Sequence, residues 1–292
     1  MKGPASLFSI SVHRRVNKRA AKTVVLTCLL FLAMPLMRAN AQDMEDYKWR
    51  GTAYWWFSQP SGYFNGAGGA GRFDLQKDFA FDYYSTFSGG VDWHFKRKHH
   101  LLFGISPVSQ SKTVTLARTI SFQGETYDVG TRASSDLRSL SFSPGYQWDF
   151  IHRHRGYVAL AVQLYMLDTK GSVTGIVVVN NQLVTRTSSG EVFAPLPVVG
   201  PHASWYPLAS GRLALEGFVQ GMYFGGYGDF ISTRAAASVA VTRHWMISAG
   251  YQLGTRLSIH GGSDQVGIRL TQKGPVVGIE GSWGTQEGGS KH

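Results

Sequence analysis

The stretch "SFSPGYQWDFIHRHRGYVALAVQLYM", residues 141–166, decides the fold of this chain. On either side of its basic cluster, apolar residues alternate with small or polar ones. The first segment sets Leu140, Phe142, Tyr146, Trp148 and Phe150 against Ser141, Ser143, Gly145, Gln147 and Asp149. A period of two residues is typical of a β-strand with one apolar face. The stretch therefore predicts two strands joined by a turn that contains His152, Arg153, His154 and Arg155.

The same alternation recurs along most of the chain, at 86–95, 157–166, 212–220, 232–241, 247–254 and 265–271. We also expect strands at 47–58 and 70–77. The strands are long, and their second face carries Gly, Ser and Ala, which favours a crowded interior over a solvated surface. Strands in lipid must also pair every backbone amide, so the sheet has to close. The sequence predicts an all-β fold, a transmembrane antiparallel β-barrel of 10 to 12 strands.

Short connections are predicted at 96–100, 152–156, 207–211, 242–244 and 273–275, and longer ones at 107–136, 168–192 and 258–264. The last strand, with Val277, Ile279, Gly281 and Trp283 on one face, resembles a partial barrel-terminating signal. If Trp283 lies at the periplasmic end, counting strands backwards puts the short basic turns outside the cell. That order is opposite to the usual asymmetry of outer-membrane barrels.

The first 41 residues are expected to be a cleaved signal peptide. A basic segment is followed by the apolar run "TVVLTCLLFLAMPLM", 23–37, and by Ala39-x-Ala41. Seven of the 29 basic residues and the one cysteine fall in this segment, which leaves 22 basic and 18 acidic residues and a net charge of +4. This modest charge argues against a nucleic-acid partner. The predicted organisation is a signal peptide at 1–41, a barrel in the outer membrane at 42–283 and a disordered tail at 284–292.

The segments "GRFDLQKDF" (71–79), "ISFQGETYDVGTRASSDL" (120–137), "APLPVVG" (194–200) and "QKGPVVGIEGSW" (272–283) carry a resemblance. Through them the chain resembles a broad family of uncharacterised bacterial outer-membrane β-barrel proteins, loosely similar to small barrels of the OmpA and OmpW type. The resemblance implies a membrane barrel and no particular ligand or activity.

The turn histidines are interpreted as interfacial rather than metal-binding. A zinc site needs about four converging ligands, and no carboxylate or further histidine is expected to pair locally with His152 and His154 or with His99 and His100. We expect the HRHR turn to contact outer-membrane lipids, with lipopolysaccharide as a candidate partner if the turn is extracellular. No metal or other cofactor is predicted, since the sequence offers no phosphate loop or dinucleotide fingerprint in a strand-to-helix context.

One group of residues suggests catalysis. His202 and Ser204 share a strand face, and Glu216 falls almost opposite Ser204 across a turn, a spacing similar to the His-x-Ser and later Glu of an outer-membrane lipid A deacylase. The alternation places them in the lumen, whereas the deacylase residues face the lipid. A structural hydrogen-bond cluster is the alternative interpretation.

Charged residues on the inward face are expected to fill or line the lumen: Asp92, Asp149, Arg212, Arg234, Arg256, Arg269 and Glu280. Eight strands leave room only for side chains, and 16 or more leave a channel, so 10 to 12 strands predict a filled or narrow lumen. The resulting hypothesis is a non-enzymatic outer-membrane barrel that interacts with envelope components or small solutes. A lipid-modifying hydrolase and a narrow porin-like channel are the alternatives, and the oligomeric state is left open.

Overall fold

The computed structural model describes residues 47–65, 72–78, 81, 83–122, 125–179, 182–208, 210–225, 228–259 and 267–284. They form thirteen strands: β1 (Trp49–Asn65), β2 (Arg72–Asp74), β3 (Tyr84–Lys96), β4 (His99–Thr115), β5 (Ile120–Phe122), β6 (Glu125–Tyr127), β7 (Arg132–Arg153), β8 (Gly156–Val179), β9 (Gln182–Trp205), β10 (Leu213–Tyr223), β11 (Gly228–Ala240), β12 (Trp245–Ile259) and β13 (Gly267–Trp283). The predicted signal peptide and tail lie outside the described residues, apart from Gly284. Among the residues described, no helix has the length and hydropathy needed to cross a membrane.

Ten long strands form a closed antiparallel barrel. The order is β1, β3, β4, β7, β8, β9, β10, β11, β12 and β13, and β13 returns to pair with β1 from Trp49↔Trp283 to Asn65↔Gly267. Strand β2 adds an eleventh strand beside the far end of β1, and β5 and β6 form a separate small hairpin. The prediction of an all-β barrel of 10 to 12 strands is confirmed.

The hairpin of the opening stretch forms as predicted. Strand β7 ends at Arg153 and β8 begins at Gly156, with Arg153 opposite Gly156. Gly156 has a φ of 134°, and a Cβ there would lie 2.0 Å from the Ser204 carbonyl oxygen of β9. The turn therefore needs glycine both for its backbone angle and for the close approach of the next strand.

The predicted connection at 273–275 was wrong, because these residues lie inside β13. Gly274 pairs with Gln252 and Pro275 with Tyr251, beside a register shift in β12. On the β1 side the register is the same before and after the proline, from Trp56↔Val276 to Gln59↔Lys273, so the strand continues through it without a turn. Without a turn there, the barrel has one strand fewer than the backward count assumed, and Trp283 lies at the same end as the short basic connections. The short connections that follow β3, β7, β9 and β11 all lie at the end where β1 begins and β13 finishes, hereafter the turn end.

An apolar belt covers the outer surface. Side chains such as Phe103, Phe142, Leu160, Val162 and Ile279 are each 40–49% exposed. Six of the eight tryptophans stand within a few residues of the turn end: Trp49, Trp93, Trp148, Trp205, Trp245 and Trp283. Trp49 stacks on Trp93, and Trp245 meets Trp283 edge-on. An apolar band bordered by an aromatic girdle is the surface that a membrane-spanning barrel presents to lipid.

At the opposite end, the loop end, the polarity is inverted. Segment 168–192, predicted to be a long connection, instead continues β8 and β9 as paired strands. Here the inner face is apolar, with Leu75, Leu116, Tyr127 and Val173 among the buried residues of one cluster. The outer face carries exposed pairs such as Lys170 and Glu191, 2.9 Å apart. Beyond the apolar belt, the strands therefore continue with a polar outer face and an apolar core inside the barrel.

Candidate functional site

A network of histidines and acids lies inside the barrel at the turn end. Asp92 and His94 come from β3, His100 from β4, Gln147, Asp149 and His152 from β7, and His202 from β9; we call these seven residues the His–Asp network. His100 lies between two carboxylates, with Nδ1 3.0 Å from Asp92 Oδ1 and Nε2 3.1 Å from Asp149 Oδ2. His100 and Asp149 are both fully buried. Burial of two carboxylates is tolerated where hydrogen-bonding partners surround them.

Asp149 is the most heavily contacted member of the network. Gln147 Nε2 donates to Asp149 Oδ1 at 3.0 Å, and His152 Nδ1 lies 3.1 Å from Asp149 Oδ2. A register shift between Asp149 and Ile151 lets His152 turn inward at the end of the strand. Of the predicted interfacial turn, Arg153, His154 and Arg155 are exposed, whereas His152 is half-buried and belongs to the network.

A contact between opposite walls of the barrel lies beside the His–Asp network. Arg50 of β1 places Nη2 3.5 Å from the hydroxyl of Tyr206, which follows β9, and both residues are buried. Strands β1 and β9 are five strands apart in either direction around the barrel, so this contact joins opposite walls. Tyr47 completes the arrangement: its ring lies 3.9 Å from the Arg50 guanidinium carbon, and its hydroxyl donates to Asp92 Oδ2 at 2.7 Å. We call Tyr47, Arg50, Tyr206 and the His–Asp network together the lumen floor.

A second polar group stands deeper in the barrel. The Tyr54 hydroxyl donates to Glu280 Oε1 at 3.2 Å and lies 3.5 Å from Glu216 Oε1. Arg234 places Nη2 3.4 Å from Glu216 and its guanidinium over the Tyr54 ring. Ser238 donates to Glu280 at 2.9 Å. This Tyr54 cluster joins β1, β10, β11 and β13 through hydrogen bonds and one ion pair.

The lumen also contains a cavity of about 390 Å³, which is bordered by both the lumen floor and the Tyr54 cluster. Its wall combines apolar side chains, such as Leu137, Leu167, Phe218 and Phe230, with neutral hydroxyl and amide groups: Ser88, Ser106, Ser139, Ser141, Ser143, Ser232, Gln163, Gln220, Gln252 and Gln272. Asp92, His202 and Arg50 line it as well, so the lumen floor also bounds the cavity. The predicted filled or narrow lumen thus corresponds to an occupied turn end and a cavity of ligand size.

The predicted lumen charges are found in several environments. Asp92, Asp149, Arg234 and Glu280 lie inside, and Arg212 is half-buried just before β10. Arg256 and Arg269, predicted to face the lumen, are exposed, and Arg256 pairs with Asp229 at 3.0 Å. For Arg256, the register shift between Gln252 and Thr255 reverses the alternation, so that Leu257 points inward. For Arg269, the reason is the inverted polarity of the loop end, where Leu270 packs against the inner clusters.

The predicted catalytic group comes together only in part. Glu216 is the register partner of Ser204, as expected, and both face the lumen with His202. The hydrogen bonds of His202 lead elsewhere: Nδ1 lies 2.8 Å from Gln147 Oε1, and Nε2 lies 3.5 Å from the Tyr157 hydroxyl. Glu216 is engaged by Arg234. A general base must accept the proton of its serine, and both nitrogens of this histidine already have other partners.

Sequence reasoning did not assign His94, His100, Tyr47, Arg50 or Tyr206 to a site. His100 was expected in a turn, but β4 begins at His99, which leaves His99 half-buried beside Tyr146 and turns His100 inward. His94 was placed on the inward face without any role. The signal available was parity: Asp92 and His94 alternate inward on β3, and His100 is the register partner of His94 on β4.

No known protein-family profile matches this chain, and no curated protein matches it in sequence. Among solved structures, the outer membrane protease OmpT from Escherichia coli superposes with a TM-score of 0.54 at 10% identity, over 82% of this chain and 98% of that one. The toluene transporter TodX from P. putida gives 0.38 at 7% identity over 82% and 91%. Ail from Yersinia pestis gives 0.34 at 9% identity over 80% of this chain and 99% of that one.

The likeness to OmpT is one of fold, and the other two are too distant to carry an argument. Ten strands that close on themselves and present an apolar belt with an aromatic girdle form an outer-membrane β-barrel. A specific likeness to OmpA or OmpW barrels stays a prediction.

Proposed function

We propose that this protein is a non-enzymatic outer-membrane barrel that binds a small neutral polar solute in its lumen cavity and does not conduct it through to the turn end. The observation that carries the proposal is the contact of Arg50 with Tyr206 between opposite walls, in a floor of buried hydrogen-bonded side chains. A residue pair that bridges the diameter leaves no straight path past it.

The cavity wall supports the choice of solute. Clefts of about 300–1,000 Å³ suit small-molecule ligands, and 390 Å³ falls in that range. The serine and glutamine groups of the wall both donate and accept hydrogen bonds, which matches a hydroxylated solute of sugar size. Within the Tyr54 cluster the charges of Arg234 and Glu216 are paired, and the Glu280 carboxyl accepts hydrogen bonds from Tyr54 and Ser238.

The orientation of the barrel is part of the proposal. Outer-membrane barrels have short periplasmic turns and longer extracellular loops. The turn end would then face the periplasm and the cavity would be reached from outside. Arg153, His154 and Arg155 would contact phospholipid head groups of the inner leaflet rather than lipopolysaccharide.

Solute binding is tested on the refolded barrel in detergent by isothermal titration with neutral mono- and disaccharides, and with anionic sugars for comparison. We expect saturable binding of at least one neutral sugar, weakened by Ser141→Val and Ser143→Val in the wall. Thr174→Val, on the exposed face of the β8 extension, is the matched control. Absence of binding across the panel, or equal binding by wall and control variants, would contradict the proposal.

A further inference from the structure

His94 is a buried side chain whose hydrogen-bonding groups are not used within the described residues. It is 2% exposed, and neither Nδ1 nor Nε2 has a hydrogen-bond partner in the part of the chain that the structure describes. Its ring stacks on Tyr47 with centroids 4.1 Å apart and meets His100 edge-on. A buried imidazole without partners is unfavourable, and each such group in a folded protein calls for an explanation.

Two other potential ligands lie beside it. One ligand atom each of Asp92, His94 and His100 falls within 4.8 Å of the other two. Asp92 Oδ2 is 3.2 Å from His100 Nδ1 and 3.7 Å from His94 Nε2. Around a tetrahedral ion with bonds of about 2.0–2.1 Å, neighbouring ligand atoms lie about 3.3–3.4 Å apart. The two separations bracket that value.

The surroundings have the form of an outer ligand shell. A histidine bound to a metal through one nitrogen commonly donates the other N–H to a carboxylate, which fixes the ring. His100 Nε2 faces Asp149, which Gln147 and His152 hold in turn. Asp92 is similarly held by the Tyr47 hydroxyl. Asp92 also lines the lumen cavity, which gives an ion a way in.

We propose that Asp92, His94 and His100 form a binding site for a divalent transition metal ion, Zn²⁺ being the one that suits two imidazoles and a carboxylate. Three protein ligands leave a fourth position for water. Binding replaces the hydrogen bond between His100 Nδ1 and Asp92, so the Nδ1 proton passes to solvent as the ion enters. Asp92 and Asp149 balance the charge of the ion, and Arg50 is turned toward Tyr47 and Tyr206. The site does not depend on whether the cavity binds a solute.

The test is a Zn²⁺ titration of the tag-free full barrel, refolded in chelator and then freed of it. We expect one Zn²⁺ per barrel, both by calorimetry and by metal content after gel filtration. The binding enthalpies measured in two buffers of different ionisation enthalpy should differ, which shows that a proton is released. His94→Phe keeps the stacking on Tyr47 and removes the nitrogens, so it should fold and lose the site. Asp149→Asn should keep one site and weaken it about 10- to 100-fold.

His99→Phe is the matched control, because His99 is the half-buried neighbour of His100 and its Nδ1 contacts the Tyr146 hydroxyl instead of the network. Equal zinc binding by wild type and His94→Phe, or binding lost in His99→Phe, would overturn the proposal, as would absence of stoichiometric binding. Should His94→Phe fail to fold, the wild type is compared with Asp92→Asn instead. Zinc should raise the temperature at which half of the protein loses its folded-barrel mobility in gel electrophoresis, and it should do so for the wild type only. A rise of equal size in both proteins would contradict the site.

Discussion

The Arg50 guanidinium lies 3.5 Å from the Tyr206 hydroxyl, across the full diameter of a ten-strand barrel. Strand β1 supplies the first residue, and the chain directly after β9 supplies the second. Because the strands on both sides of this pair belong to one closed sheet, the contact also ties the two walls together. The turn end of the lumen is thereby occupied by side chains, which distinguishes this barrel from an open pore of the same strand number.

Asp149 should be important for stability. It is fully buried and contacted by His100, Gln147 and His152. Asp149→Ala leaves those groups buried without their acceptor, so we expect a loss of roughly 3 kcal/mol in the free energy of unfolding. Urea unfolding in lipid vesicles, followed by tryptophan fluorescence, measures the change.

Glu191→Ala is the control for that measurement, since Glu191 pairs with Lys170 on an exposed surface. We expect it to change the free energy of unfolding by less than about 1 kcal/mol. Comparable losses in the two variants would show that the His–Asp network has no special contribution.

The hydrolase alternative makes a separate prediction. With His202 hydrogen-bonded to Gln147 and Tyr157, Ser204 has no available base among the residues that the structure describes, and we expect cells that produce the wild type or Ser204→Ala to have the same lipid A species. Mass spectrometry of extracted lipid A is the measurement. Deacylated lipid A in wild-type cells that disappears with Ser204→Ala would revive the catalytic interpretation.

A loop ion pair should make one region sensitive to acid. Burial alone would raise the pKa of Asp78, but hydrogen bonds from Arg118 and from the Asp74 amide outweigh it and hold the pKa below its ordinary value. A lowered folded pKa means that the stabilisation is complete above the ordinary pKa, near 4, and is lost as the pH falls through the lower folded value.

Protection of the amides of Leu75 and Asp78 from hydrogen exchange should therefore fall in that acid range. These amides donate to the Gly62 and Asp74 carbonyls. Asp78→Asn should lower their protection already at neutral pH, whereas Asp128→Asn, at an exposed acid of a neighbouring loop, should not. Acid-induced loss of the same size in wild type and Asp78→Asn would contradict this role of the ion pair.

The fold could be predicted where the strands cross lipid. In that zone most large apolar residues face outward and alternate with inward small or polar ones, and the alternation around Trp148 and Leu160 predicted the hairpin and its inward face. The prediction failed where the environment or the pairing of the strands changes. At the loop end the apolar residues face the inside of the barrel. For this reason 168–192 was predicted to be a loop and Arg269 was predicted to face inward. Near Gln252, a register shift breaks the strict period of two.

The site was harder to predict because it depends on register between strands that are distant in the sequence. Parity alone places Asp92 and His94 inward, but the meeting of His100 with Asp149 requires β4 to begin at His99 and to pair with β7 from Trp148 onward. His152 joins only through the register shift after Asp149. A basic cluster that looked entirely like a turn therefore contributes one side chain to the interior.

Planar bilayer recording tests the central claim, a lumen closed at the turn end, most directly. We predict that the wild-type barrel inserts without steady conductance, and that Arg50→Ala combined with Tyr206→Ala produces a small steady conductance. Arg256→Ala, which removes an exposed arginine, should behave as the wild type. Steady conductance of the wild type, unchanged in the double variant, would contradict a closed lumen.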